Sequence, residues 1–341
     1  MKKQLFLAAL GIAALSLLTA PAAGVHAEEY TGPKIKFRVA HTTPPGNHIT
    51  LAFDKFKELV EKKSDGKIKV QVFPNAVLGS DRVLMEGAQK GSLEMAVSST
   101  PNMANFSPLY QVFDLPYITS PKNQEKLYKA IDSGKLADYF KKVANDIGLD
   151  PIMYAEYGYR NFVTRDRPIS KVEDLAGLKM RTTDSPVEVE VAKILKTNPT
   201  PVAWGETYTA LQQGTVDAEG NTFPHMYGAK HHEALKYAAT TAHNYGMQVM
   251  MANKAWWDSL PPEAQKVVRE AAAEALEYQR TVLYPKNEAE AREGFVKAGI
   301  EIVDLTDEQL EEFRKATRPV WDKFQDKFPP ELMEMVLETQ R

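Results

Sequence analysis

Two arginines carry the chemistry that stands out in this chain. Arg160 closes the run Tyr157-Gly158-Tyr159-Arg160, and Arg181 closes Leu178-Lys179-Met180-Arg181. Each ends a segment patterned as a strand, among apolar or aromatic neighbours. A guanidinium in such a setting is costly unless an anion meets it. Its planar fork of donors matches a carboxylate bidentately. Two of them at strand ends point to a pocket that receives a carboxylate. The competing reading is two arginines paired with acidic residues of the same fold.

Other constellations read more plainly. Asp184, Glu188 and Glu206 could form a general acid–base pair, but no nucleophile or cofactor motif stands beside them. A glycine-rich phosphate loop is absent from the sequence. His231 and His232 are adjacent, and neighbours on a helix point about 100° apart. With no second ligand type four residues on, they read as a solvated helix face, not a metal pair. Trp256-Trp257 reads as packing, and residues 286–293 as an ordinary charged helical face.

The elements that position the arginines follow from periodicity. Residues 34–40 alternate polar and apolar as a half-buried strand does. A helix is expected over 48–64, with Ala52, Phe53, Phe56, Leu59 and Val60 on one face. Strands over 67–73 and 93–98 flank a helix over 80–90, with Ser80 as N-cap and Gly91 as stop. Residues 113–118 form an apolar loop, and 121–147 a helical pair broken at Ser133-Gly134. Residues 150–164 read as a strand crossing between domains. A second α/β unit runs through strand 177–182, helix 186–195, strand 199–203, helix 206–213 and strand 215–219. Residues 245–252 form a strong strand. A long helix over 261–299 breaks near Pro285, and helices over 307–324 and 330–339 close the chain. This order predicts an α/β fold with a largely parallel sheet.

The chain has 341 residues and no cysteine. Disulfides, thiolate metal sites and thiol nucleophiles are therefore excluded. Residues 1–27 read as a signal peptide. Lys2 and Lys3 precede an apolar run over 5–18, and Val25-His26-Ala27 places cleavage before Glu28, with cleavage after Ala23 or an uncleaved anchor as the alternatives. No cysteine marks a lipid attachment. The formal charge of −3 becomes −5 without Lys2 and Lys3, which argues against nucleic-acid or anionic-membrane partners. About 314 remaining residues suit two domains.

Several stretches together resemble a known family. They are Leu78-Gly-Ser-Asp-Arg82, Gly91-Ser-Leu-Glu94, Leu115-Pro-Tyr117, Gly158-Tyr-Arg160, Asp174-Leu-Ala-Gly-Leu-Lys-Met-Arg181 and Tyr208-Thr-Ala-Leu-Gln-Gln-Gly-Thr-Val-Asp217. In this order and spacing the chain resembles the substrate-binding subunits of TRAP (tripartite ATP-independent periplasmic) transporters, the DctP family, over essentially all of its length after residue 27.

The resemblance implies a two-lobe periplasmic-binding-protein fold, type II-like, in which each lobe is a mixed sheet flanked by helices. Hinge strands and a long C-terminal helix span both lobes. Residues 28–156 with 247–285 form lobe I, and 157–246 with 286–341 form lobe II. It implies Arg181 as the salt bridge to the ligand carboxylate and Arg160 as its support. Asn221 hydrogen-bonds the ligand, Trp204 packs on it with Tyr208 nearby, and Ser99 with Asn102 contribute from the first lobe. The implied function is a monomeric, non-enzymatic periplasmic receptor. It would hand a carboxylate (an organic, keto or aromatic acid) to TRAP permease subunits driven by an ion gradient, with no cofactor. A periplasmic lyase or hydrolase, or a sensory binding protein, are the alternatives on the same fold.

One departure from the family bears on the site. Many members have Gly-Gln-Glu where this chain has Ala218-Glu219-Gly220. The aromatic content around Tyr157, Tyr159, Phe162 and Trp204 leans towards a bulkier or aromatic monocarboxylate.

Overall fold

The computed structural model describes residues 30–341; the expected signal peptide lies outside the described residues. The strands are β1 (Ile35–Ala40), β2 (Ile68–Phe73), β3 (Met95–Ser99), β4 (Leu149–Thr164), β5 (Lys179–Thr182), β6 (Asn198–Pro201), β7 (Ala218–Asn221), β8 (Tyr237–Asn253) and β9 (Glu301–Val303). They form one sheet in the order β2-β1-β3-β8-β4-β7-β5-β6, with β9 paired to β8. β1 pairs β2 and β3 in parallel, and β5 pairs β6 and β7 in parallel. Between these two parallel halves run β4 and β8, antiparallel to each other.

The helices are α1 (His48–Lys63), α2 (Asp81–Lys90), α3 (Thr100–Met103), α4 (Gln124–Asp132), α5 (Lys135–Asp146), α6 (Pro186–Ile194), α7 (Trp204–Gln212), α8 (Phe223–Gly228), α9 (Lys254–Ser259), α10 (Pro262–Tyr278), α11 (Tyr284–Lys297), α12 (Asp307–Phe324) and α13 (Pro330–Glu338). α1 shows how closely local pattern dictates an element. Asn47 caps it by accepting from the Ile49 amide, and Ala52, Phe53, Phe56, Leu59 and Val60 are buried. Asp65 and Gly66 then take positive φ of 49° and 72° and turn the chain into β2. Phe53 and Phe56 join Phe37, Val70 and Val268 in a core between the sheet and α10. Burying each such phenyl ring contributes roughly 1.5–3 kcal/mol.

β4 and β8 do the joining. Gln248–Ala252 pair with β3, whereas Tyr237–Ala239 pair with β9. Likewise Asn161–Thr164 at the far end of β4 pair with β7. The β4–β8 register slips between Glu156 and Gly158 and again between Arg160 and Phe162. Gly158 has φ +107°, and a Cβ there would lie 2.9 Å from the Tyr284 hydroxyl. A side chain at this position would therefore be strained in backbone and crowded in space.

The long helix breaks as expected near Pro285, but by a specific device. A π-turn over Gln279–Leu283 separates α10 from α11, and Pro285 lies in the first turn of α11. Proline supplies no N–H to the turn before it, so the backbone widens there. The first half of β8, the short β9, α3 and α8 are elements that the periodicity did not mark. Residues 108–114 form a 3₁₀ turn, buried from Tyr110 on, whose last two residues fall in the apolar loop expected over 113–118. Among the described residues no helix is long and apolar enough to cross a membrane.

Candidate carboxylate-binding cleft

Arg181 sits in β5, between β7 and β6 in the second half of the sheet. It is 4% exposed. Its Nε and Nη2 donate to the Val202 carbonyl at 3.0 and 2.8 Å. The Trp204 ring lies 5.9 Å from the guanidinium carbon. Among the described residues Arg181 forms no ion pair. Burial, then the neighbouring Arg160, lower its affinity for the proton, against the pull of Glu219 and Glu188. The group stays cationic, so the fold holds a desolvated charge without an anion against it.

Arg160 is equally buried but differently served. Nη1 donates to the Gly220 carbonyl at 2.6 Å. Nε lies 3.3 Å from Glu188 Oε1, an ion contact without hydrogen-bond alignment. The Tyr157 ring packs 5.3 Å from the guanidinium carbon. Burial alone would lower this guanidinium, but Glu188, Tyr157 and Asp114 outweigh it and hold it above its ordinary value. Glu188 also accepts from the Thr183 amide at 3.0 Å and hydroxyl at 2.6 Å. Burial pushes this carboxyl up, and Arg160 with Thr183 brings it below the usual range. Asp114 accepts from Ser185 Oγ at 2.6 Å; burial and the nearby Glu188 push its carboxyl well up.

Both arginines line a cleft of about 240 Å³ at the junction of the two halves of the sheet. Thr42, Asp81, Ser99, Asn102 and Gln248 line it from the first half. Tyr157, Thr183, Trp204 and His225 line it with the arginines from the second. Arg181 also lines an inner hollow with Arg160 and Glu188 and an outer one with Asp81 and Asn102. A larger groove of about 1320 Å³ lies elsewhere, against α5 and α10. Its arginines, Arg269 and Arg280, are already held by Asp150 and Asp132.

Of the residues expected at the site, Arg160, Arg181, Trp204, Ser99 and Asn102 come together in this cleft. Asn221 does not line it. Its Oδ1 accepts from the Tyr157 hydroxyl at 2.7 Å and the Thr222 amide at 2.9 Å, and its Nδ2 donates to Glu219 at 3.3 Å. Those bonds place it behind Tyr157. Tyr208 also stands apart, its hydroxyl donating to Glu233 at 2.6 Å. The cleft adds Asp81, His225, Thr42, Thr183 and Gln248. Asp81 lies inside the family-like Leu78–Arg82 stretch; nothing in the local pattern marks the others.

The expected aromatic surroundings resolve mainly into core. Phe162 stacks on His243 at 3.9 Å, and Tyr159 donates to Gln124 at 2.8 Å. Tyr157 and Trp204 remain in the cleft, with Trp204 against His225 at 4.1 Å. The reading of His231 as a solvated helix residue is corrected. It is buried in a 3₁₀ turn, with Nδ1 2.6 Å from Glu219 Oε1. A lone pattern of two histidines could not reveal a carboxylate brought in from β7. Trp257 is buried in the first core, as expected. Asp184 and Glu206 are exposed and do not join Glu188 in a catalytic arrangement. Among the described residues no group of three or more His, Asp or Glu is placed to hold a metal ion.

The family model for bacterial extracellular solute-binding proteins, family 7 (DctP), matches residues 39–327. The chain belongs to this family. It is 31% identical over 309 residues to the C4-dicarboxylate-binding periplasmic protein DctP of Rhodobacter capsulatus, covering 89% of each chain. The sugar acid binding protein DctPAm of Advenella mimigardefordensis, solved with galactonate, has a TM-score of 0.86 at 28% identity, covering 91% of this chain and 99% of that one. A TRAP periplasmic solute binding protein of Polaromonas sp JS666, solved with D-erythronate, has a TM-score of 0.82 at 30% identity, covering 89% and 98%. The family likeness read from the motifs is therefore correct, as is the two-lobe α/β fold. The relatives and solved structures it resembles are TRAP-type periplasmic solute-binding proteins for organic acids, a family of binding proteins, not enzymes.

Proposed function

We propose that the chain captures a hydroxylated aliphatic carboxylate between two closing lobes and delivers it to a TRAP permease driven by an ion gradient. The observation that carries this reading is Arg181, buried in the cleft with no ion-pair partner among the described residues. A ligand carboxylate supplies that anion. Each charge-assisted hydrogen bond it forms contributes roughly 1.5–3 kcal/mol. Arg160, oriented by Glu188, supports the same end. The remaining lining is rich in hydroxyl, amide and carboxylate groups. Such groups suit ligand hydroxyls better than an aromatic ring, and the two relatives solved with galactonate and D-erythronate fit that preference.

Residues 28–156 with 247–285 act as one lobe and 157–246 with 286–341 as the other, flexing where β4 and β8 slip register. The N-terminal 27 residues direct export and are removed, and the mature receptor works as a monomer.

The test is calorimetric titration and thermal shift against aldonates, C4-dicarboxylates and aromatic acids. At 100 times its Kd, a true ligand adds about 2.7 kcal/mol of stability. Arg181→Ala is expected to abolish that shift. A variant that keeps its affinity rules out the carboxylate clamp. A ligand recovered chemically altered would mean an enzyme.

A further inference from the structure

The two cleft arginines are not equivalent, and the difference bears on ligand charge. Arg160 has a carboxylate within ion-pair distance, and among the described residues Arg181 has none. The carboxylate comes from Glu188 on α6, not from the strand next to Arg160. β7 offers Arg160 only the backbone carbonyl of Gly220. A side chain at 220 would meet the His243 ring: a Cβ there would lie 2.9 Å from Nε2. Imidazole fills that space, and the negative charge beside Arg160 comes from α6. Thr183 fixes the Glu188 carboxylate through two hydrogen bonds. On the opposite wall Asp81, 7% exposed, receives a long hydrogen bond from Thr42 at 3.4 Å and makes no ion pair among the described residues.

We infer that Glu188 sets the charge of the ligand: by pairing with Arg160 it leaves Arg181 as the cleft arginine with no ion-pair partner among the described residues, and so selects monocarboxylates over dicarboxylates. A second ligand carboxylate would face Glu188 or Asp81, and like charges in a desolvated cleft repel strongly. A ligand hydroxyl meets those same acceptors favourably. This inference rests on the reading of Arg181 as the carboxylate clamp.

The experiment measures Kd for D-erythronate and for succinate, in the native protein and in three variants, with melting temperature as the check on folding. The native protein is expected to prefer D-erythronate by at least tenfold. Glu188→Gln frees Arg160 and is expected to narrow that preference at least tenfold, through tighter succinate binding. Glu188→Asp keeps the charge and is expected to keep the native preference, whereas a merely structural role for Glu188 would leave the ratio alike in both variants. Native preference for succinate overturns the inference without any variant, as does a ratio that Glu188→Gln leaves within threefold. Arg181→Ala separates the two readings. If it abolishes binding while Glu188→Gln leaves the ratio unchanged, charge selection alone fails. If it still binds either acid, or if the native protein binds neither, the clamp itself fails and this inference with it.

Discussion

The cleft around Arg181 and the strand crossing around Glu156 both bury a charge, and the chain treats the two oppositely. Glu156 is 1% exposed on β4, just before the register slip. Donors reach its Oε2 from Tyr128, Tyr245 and Gln124. Gln279 of the π-turn grips its backbone, accepting from the amide at 2.8 Å and donating to the carbonyl at 2.9 Å. Arg181 receives one carbonyl and the Trp204 ring. A buried charge answered by its own fold holds elements together. One left unanswered leaves its free energy for a solute. Arg160 lies between these cases, with an internal partner yet facing the cleft.

The largest expected effect separates the two arginines. Arg160→Ala leaves Glu188 buried without its cation, and breaking a buried pair costs about 3–5 kcal/mol of stability. Arg181→Ala removes an unpaired buried cation, so folding stability is expected to stay level or rise while ligand affinity is lost. Urea unfolding of both variants without ligand checks this. Equal losses in the two would mean that Arg181 is also structural, and the contrast between answered and unanswered charges would collapse.

The next effect belongs to the crossing. Burial raises the Glu156 carboxyl to about 7, against the hydrogen bonds of Tyr128 and Tyr245 and the charge of Arg280. Glu288 and Tyr284 face it from α11. A carboxyl raised in the folded state contributes stability that is fully present below its ordinary value near 4.5 and is lost as pH rises through 7. The loss is on the order of 3 kcal/mol. Glu288, also raised to about 7 by burial, adds to the same window. Glu156→Gln is expected to flatten the fall between pH 5 and 8 by about one proton and to be the more stable form at pH 8. Urea midpoints across that range give the slope. A variant weakened by the same amount at every pH would show that the crossing needs the charge itself.

Much of this contrast was legible in the sequence, and the limits are physical. Alternation and helical period gave the strands and helices of both halves, because each element buries one face. Arg160 and Arg181 stood out because a cation among apolar residues is rare. The first half of β8 was missed because Ala-Thr-Thr-Ala-His-Asn carries little apolar alternation; its pairing with β4 makes it a strand. Tyr157 beside Asn221, Glu219 beside His231 and Arg160 beside Glu188 come from other elements, so no local spacing announces them. The aromatic residues near Arg160 are as hard to place: Phe162 and Tyr159 belong to a strand whose facing neighbours the sequence does not name.

The smallest expected effect is the sharpest test of where the cleft ends. Tyr208 follows Trp204 by one turn of α7, so spacing puts it on the same helical face. Yet its hydroxyl donates to Glu233 and accepts from Gln212 at 2.7 Å, in an exposed setting. Water replaces both bonds readily when the hydroxyl is lost. Tyr208→Phe is expected to leave Kd unchanged within about twofold and folding intact. Tyr157→Phe makes the opposite change. It removes the donor to the buried Asn221 Oδ1, loosens a ring that lines the cleft, and an unmade buried hydrogen bond costs about 1–3 kcal/mol. Measured side by side in ligand titration, the pair locates the boundary between ligand site and outer surface. Strong loss of affinity in Tyr208→Phe would place α7 one turn deeper in the liganded cleft, and Tyr208 with Trp204 would then belong to one binding face.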